Sequence, residues 1–345
     1  MRWFLPTIMT SRLAAGNGYS GFKTITFNHL KVPNTDQTDF PVGIIGPFSY
    51  LKTVGNGGSV QNANGYDIIF TSDAAGTVKL KWTQVYWNGT TGDALYFIKI
   101  PTLSSTVDTV IYMWYGNSSV STFQGDSVNT WDSNFAGVYN FGDGTTLDVT
   151  DAKGLVNLTN NGVTATSGIF GGAANFNGSS QYLNAGNNFG FTGDFSVCLW
   201  SYATNVVSIM AKVPAGTGKA NPIKLGYYGG TNKMGMYLGD GTTDTISSSN
   251  TLQAASTWAH LGFRMSGTTY TFFLNGAADG TGTNAQSRSN NAGINTTFGT
   301  NSAVGTEWYA GKMGILWLSS SARSNDWYTT VYNNQFSPST FYTIT

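Results

Sequence analysis

Short runs rich in apolar, β-branched and aromatic residues recur along the chain, separated by clusters of glycine and asparagine. In the first third, strand signals fall at Phe22–Phe27, where apolar and polar residues alternate, and at Phe40–Ile45, Tyr66–Phe70, Thr77–Trp82, Ala94–Ile100 and Thr109–Tyr115. Gly55–Gly58, Asn62–Gly65, Asn88–Gly92 and Gly116–Asn117 break them with turn chemistry. The pattern continues at Gly172–Asn177, Gln181–Ala185, Phe195–Tyr202, Ile223–Tyr228, Met234–Leu238, Trp258–Met265 and Tyr270–Leu274. Met313–Ser319 departs from it, because nearly every position is apolar, which predicts a strand covered on both faces. The 3.6-residue period appears once. Ser324 can cap a helix, Asp326 sits in its first turn, and Trp327 and Val331 share a face before Pro338 stops it. These signals predict an all-β protein of two β-sandwich domains with a short C-terminal helix.

Several segments carry a family resemblance. Lys31–Val42, Asn64–Thr71, Pro101–Ser104 and Asp108–Asn117 resemble the DUF2341 domain, a β-sandwich module found in bacterial, archaeal and phage proteins, often ahead of a laminin-G-like domain. Such proteins often have an acidic strand where this chain reads Lys81–Tyr86, so a role of those carboxylates does not carry over. Val138–Phe141, Asp148–Gly154, Asn175–Gly178, Phe195–Trp200, Trp258–His260, Leu274–Gly276, Ala322–Trp327 and Tyr332–Tyr342 resemble the laminin-G-like, concanavalin A-like jelly roll. Its closing strand often bears an Asp-Glu pair, replaced here by Gly314 and Ile315. The expected organisation is an N-terminal arm over 1–17, a DUF2341-like sandwich over 18–126 and a laminin-G-like jelly roll over 135–345. The apolar face of Ile315 and Trp317 is expected to lie against another surface, with a further subunit as the first candidate.

Charge changes this picture little. Seventeen basic and 17 acidic residues cancel, and charged residues make up 10% of the chain, against about 25% in an average soluble domain. No basic field exists to hold nucleic acid, and no run approaches the length of a transmembrane helix. Gly, Asn, Thr and Ser fill the polar positions, a composition common in extracellular and virion β-proteins. The apolar run of Met1–Thr10 is short, broken by Pro6 and followed by Arg12, which reads as a docking arm rather than a signal peptide. Cys198 is the only cysteine and reads as a small buried hydrophobe.

Catalytic patterns are weak. Gly16–Gly21 fits G-x-G-x-x-G, but a strand follows where a dinucleotide site needs a helix, so it is a turn. Gly216–Lys219 is no Walker motif. Glu307 is the only glutamate, whereas glycoside hydrolysis needs two flanking carboxylates. His29 and His260 are the only histidines, and His260 reads as a packed structural residue. Calcium is the cofactor to consider, with Asp148 and Asp151, followed by Gly154 and Asn157, as candidate ligands; the same aspartates would also suit Asx-turns. Glycan contacts require exposed aromatic rings beside hydrogen-bonding groups, and Tyr227, Tyr228, Trp308 and Tyr309 are the candidates, with Trp87 behind them.

The expected role is a non-enzymatic structural or adhesion protein displayed on a virion surface, as capsid decoration or in a tail or fibre. Its partners would be glycans and other virion proteins, in a multi-copy assembly. A secreted or cell-surface bacterial or archaeal carbohydrate-binding protein is the alternative, and a polysaccharide-active enzyme the third reading.

Overall fold

The computed structural model describes residues 17–205, 208–213, 223–227, 232–239, 244–288, 292–301 and 307–345. The expected arm thus lies outside the described residues except for Asn17, as do Gly216–Lys219 and Tyr228. Among the described residues the strands form four antiparallel sheets, paired into two sandwiches. In the first, Gln37–Pro47, Asp93–Leu103 and Lys81–Trp87 form a three-stranded sheet. It packs on a four-stranded sheet ordered Tyr342–Ile344, Gly21–Phe27, Thr109–Tyr115, Ile68–Thr71. Phe70 bridges the two sheets, with ring centroids 5.3 Å from Tyr96 and 5.8 Å from Trp82.

The presence of Tyr342–Ile344 in this sheet is unexpected. The last residues of the span assigned to the second domain complete the first one. Ile344 lies opposite Ile25 and Tyr342 opposite Phe27. The Tyr342 hydroxyl also donates to the Ile45 carbonyl and accepts from its N–H, tying the terminal strand to the facing sheet.

The second sandwich pairs an eight-stranded with a seven-stranded sheet. The closing strand, Ala310–Ser319, is central to the first of these. Phe195–Ala203 runs along one side. Gly172–Asn177 and Phe135–Tyr139 share the other. A bulge interrupts it: Leu199 faces Leu316, but Trp200 faces Gly314, leaving Ile315 unpaired at φ 21°. One extra residue reverses the alternation. Met313 points into the jelly-roll core, and after the bulge Leu316 and Leu318 do so, while Ile315 and Trp317 turn outwards.

That outward face meets the first sandwich. Trp317 lies 5.3 Å from Phe97, 5.5 Å from Trp131 and 5.8 Å from Phe135, and is 1% exposed. The surface covering Ile315 and Trp317 therefore belongs to the same chain and not to a further subunit. Gly43 permits the approach, since a Cβ there would come within 2.6 Å of the Phe170 ring.

Helix α1 (Asn325–Phe336) seals the junction. The Ser324 side chain accepts from the Trp327 N–H as predicted, and Trp327 and Val331 are buried in the shared core. Asp326 accepts from Asn34 and Thr35 of the first sandwich, at 2.8 Å each. Asn334 pairs with both the N–H and the carbonyl of Gly43, at 2.8 and 3.0 Å. No helix among the described residues is long and apolar enough to cross a membrane.

Candidate functional site

Alternation decides which aromatic rings reach the surface. In the strand Ile223–Tyr227, Ile223, Leu225 and Tyr227 enter the jelly-roll core, so Lys224 faces outwards. Tyr227 is 8% exposed and its hydroxyl meets Ser201 and Gln253. The space beside it measures only ≈20 Å³, room for about one water. Tyr309 is fully buried, 2.7 Å from the same Ser201 hydroxyl, and donates to the Lys312 carbonyl. Burial pushes both phenols well above their ordinary value. Neither Tyr227 nor Tyr309 is a surface platform: they form a polar knot inside the sandwich. Trp87 is half-buried, and its Nε1–H donates to the Leu51 carbonyl.

Trp308 is partly exposed, as Trp87 is, and differs from it in following the charged Glu307. Its ring stands 6.2 Å from Tyr182, tilted by 52°. Asn205 fixes the backbone on both sides, donating to the Trp308 carbonyl and accepting from the Ala310 N–H, each at 2.8 Å. The preceding residue is the single glutamate. Glu307 sits at φ 56°, a conformation that a non-glycine residue adopts only when its surroundings hold it. Ser208 donates to it at 2.6 Å, and the Lys224 ammonium lies 2.7 Å from one carboxylate oxygen and 2.8 Å from the other. Lys224 also lies 4.5 Å from the centre of the Tyr237 ring.

Burial alone would raise the Glu307 carboxyl, but the Lys224 and Ser208 hydrogen bonds outweigh it and hold it below the ordinary value. An ionised carboxylate clamped by a lysine and a hydroxyl accepts hydrogen bonds; it is poorly suited to donate the proton that opens a glycosidic bond. Tyr182, Ser208, Lys224 and Tyr237 had no distinguishing sequence pattern. Only the register of four separate segments brings them together, with Tyr182, Lys224 and Tyr237 partly exposed and Ser208 buried beneath Glu307.

Of the two candidate calcium ligands, Asp151 is committed to the backbone. Asp151 is 2% exposed and accepts four backbone N–H bonds, from Val138 and Lys153 on one oxygen and Leu155 and Val156 on the other, at 2.8–3.0 Å. Both lone pairs of each oxygen are thereby used, leaving none for a hard cation. Asn157 accepts from the Asp151 N–H, and Asp148 closes an Asx-turn on Thr150. Among the described residues no cluster of three His, Cys, Asp or Glu could hold a metal ion.

Cys198 and His260 form a buried pair, Sγ to Nε2 3.0 Å. Burial pushes the thiol up and the imidazole down to about 3. Both are neutral at pH 7, without the thiolate a nucleophile needs.

The arrangement corresponds to two known families in tandem. Residues 64–153 match DUF2341, a domain of unknown function, and residues 176–327 match the concanavalin A-like lectin/glucanases superfamily. The chain carries a DUF2341 domain followed by a concanavalin A-like domain. No curated protein matches it. Solved structures similar to it include domain 4 of a GH43 extracellular arabinanase from Geobacillus stearothermophilus, in complex with arabinotriose. That likeness has 19% identity and TM-score 0.47, covering 58% of this chain and 98% of that one. The binding domain of Paraclostridial Mosquitocidal Protein 1 is 11% identical at TM-score 0.47, over 59% of this chain and 53% of that one. A Ruminococcus gnavus sialidase CBM40 bound to α2,3 sialyllactose is 15% identical at TM-score 0.36, over 41% and 83%.

Proposed function

We propose that this protein is a non-enzymatic, surface-displayed glycan-binding protein whose concanavalin A-like domain holds sugar at Trp308. The observation that carries this reading is the half-exposed Trp308 ring, braced by Tyr182 and next to the ionised Glu307. The ring offers an apolar face to the C–H side of a pyranose, and Glu307 and Lys224 offer an acceptor and a donor to its hydroxyls, with the buried Ser208 holding Glu307 in place. The lectin/glucanase description of the matched family supports the same class. Lys224 is neutralised by Glu307, so neutral sugars suit this surface. Titration calorimetry against neutral polysaccharide fragments tests the assignment. Trp308→Ala should weaken binding by roughly ten-fold or more, the worth of one aromatic contact in a small site. Unchanged affinity in that variant would remove Trp308 from the site.

The finer reading is display on a virion, as capsid decoration or in a tail or fibre, where many copies turn weak contacts into firm attachment. The scarcity of charge and the abundance of Gly, Asn, Thr and Ser support it. Secretion to a bacterial or archaeal surface is the second reading. Electron microscopy of native particles separates them; recovery of the chain as a dispersed cytoplasmic monomer would sink both.

A further inference from the structure

The outer face of the eight-stranded sheet is only partly covered. Helix α1 and the first sandwich occupy one end, over Ile315 and Trp317. Beyond them a cross-strand row remains half-exposed: Tyr202 lies opposite Lys312, and Lys312 opposite Asn175. Their orientation follows from alternation, because Ala203, Ala259 and Met313 point into the jelly-roll core. Trp258 precedes Ala259 and therefore joins the row, its ring 5.6 Å from Tyr202. Gly314 lies beneath it: a Cβ there would stand 3.7 Å from the Trp258 ring, in ordinary van der Waals contact.

Lys312 is the informative member. Its ammonium lies 5.4 Å from the centre of the Tyr202 ring and, among the described residues, makes no ion pair. Lys224 on the opposite sheet is neutralised by Glu307. The two faces thus differ in charge as well as position. A half-exposed indole, a phenol edge, an amide and an uncompensated cation form a surface complementary to a sugar that carries a carboxylate. The pyranose C–H face would lie on Trp258, with the carboxylate on Lys312.

We propose that Trp258, Tyr202 and Lys312 form a second carbohydrate subsite, selective for carboxylate-bearing sugars such as uronic or sialic acids. This rests on the reading that the domain binds glycans, but it uses a surface separate from Trp308. The test is calorimetry of the whole chain against matched pairs differing in one carboxylate: oligogalacturonate with its methyl ester, and sialyllactose with lactose. Lys312→Met should lower affinity for the acidic member roughly ten-fold, the worth of one charge-assisted bond, and abolish its salt dependence. It should leave neutral ligands unchanged, and Trp308→Ala should do the reverse. A thermal melt of Lys312→Met matching the parent shows that the loss is local. Neutral binding at Trp308 with no preference for the acidic partner overturns the subsite and spares the general reading. An acidic preference untouched by Lys312→Met and Trp258→Ala also overturns it. Absence of binding to every member of the panel overturns both.

Discussion

Replacing Arg323 by alanine would remove the cation that holds the interdomain segment to the jelly roll. Its guanidinium binds Asp132 in bidentate fashion, at 2.6 and 2.9 Å, and donates from Nε to Ser319 at 3.0 Å. It lies 4.4 Å from the centre of the Phe135 ring and 5.2 Å from that of Trp327. The two side chains are only 9% and 14% exposed, which puts the pair among buried ones. Breaking such a pair strands the remaining charge and costs about 3–5 kcal/mol, against ~1 kcal/mol or less at a surface. At roughly 2–4 °C per kcal/mol for a domain of this size, Tm should fall by about 6–20 °C.

The same pair predicts a pH dependence. Burial would raise the Asp132 carboxyl, but the Arg323 hydrogen bonds and charge outweigh it and hold it below its ordinary value. A depressed carboxylate stabilises the fold fully above its unfolded pKa, near 3.9, and loses that contribution as pH falls through the folded value. The stability gap between the parent and Asp132→Asn, followed by urea titration, should be level from about pH 7 to 5 and close below about pH 4. A Tm shift equivalent to less than ~1 kcal/mol for Arg323→Ala, or a gap already closing above pH 5, would refute this account of the junction.

Two further outcomes follow from buried groups. Deleting residues 342–345 uncovers the edge of Gly21–Phe27 and removes the Tyr342 bonds to Ile45; it should lower stability by at least ~2 kcal/mol, with hydrogen exchange rising first at Ile25 and Phe27. His260, neutral in the fold down to about pH 3, lets the unfolded chain take up the extra proton, so stability should fall by about 2 kcal/mol between pH 7 and 5; His260→Gln should flatten that slope, and an imidazole titrating near pH 6.5 by NMR would contradict it.

Much of the fold was legible because strands and turns leave local marks. The alternation at Phe22–Phe27 and the apolar, aromatic run Thr109–Tyr115 mark real strands, and the doubly apolar Met313–Ser319 is covered on both sides. What covers it could not be read, because Phe97 and Trp131 approach Trp317 from 220 and 186 residues away. Strands such as Ala277–Thr283 and Tyr342–Ile344 are small, polar or short, and carry no period of their own. The errors at the site divide the same way. Ile223, Leu225 and Tyr227 share a parity, so the inward turn of Tyr227 was written in the sequence and missed. Tyr309 was not readable, since Glu307 and Gly311 on either side of it take positive φ and break the count. Asp151 looks like a ligand in one dimension and proves to be the acceptor for four backbone N–H groups in three.

The pairing of Tyr342–Ile344 with Gly21–Phe27 has a consequence for biosynthesis. A ribosome delivers the first sandwich early, yet that sheet stays one strand short until some 230 residues beyond Tyr115 have been made. Its unpaired edge waits through the synthesis of the whole jelly roll. These three strand residues then act as a latch that cannot close before the jelly roll has been made, so a chain cut short of Tyr342 is marked by an open edge.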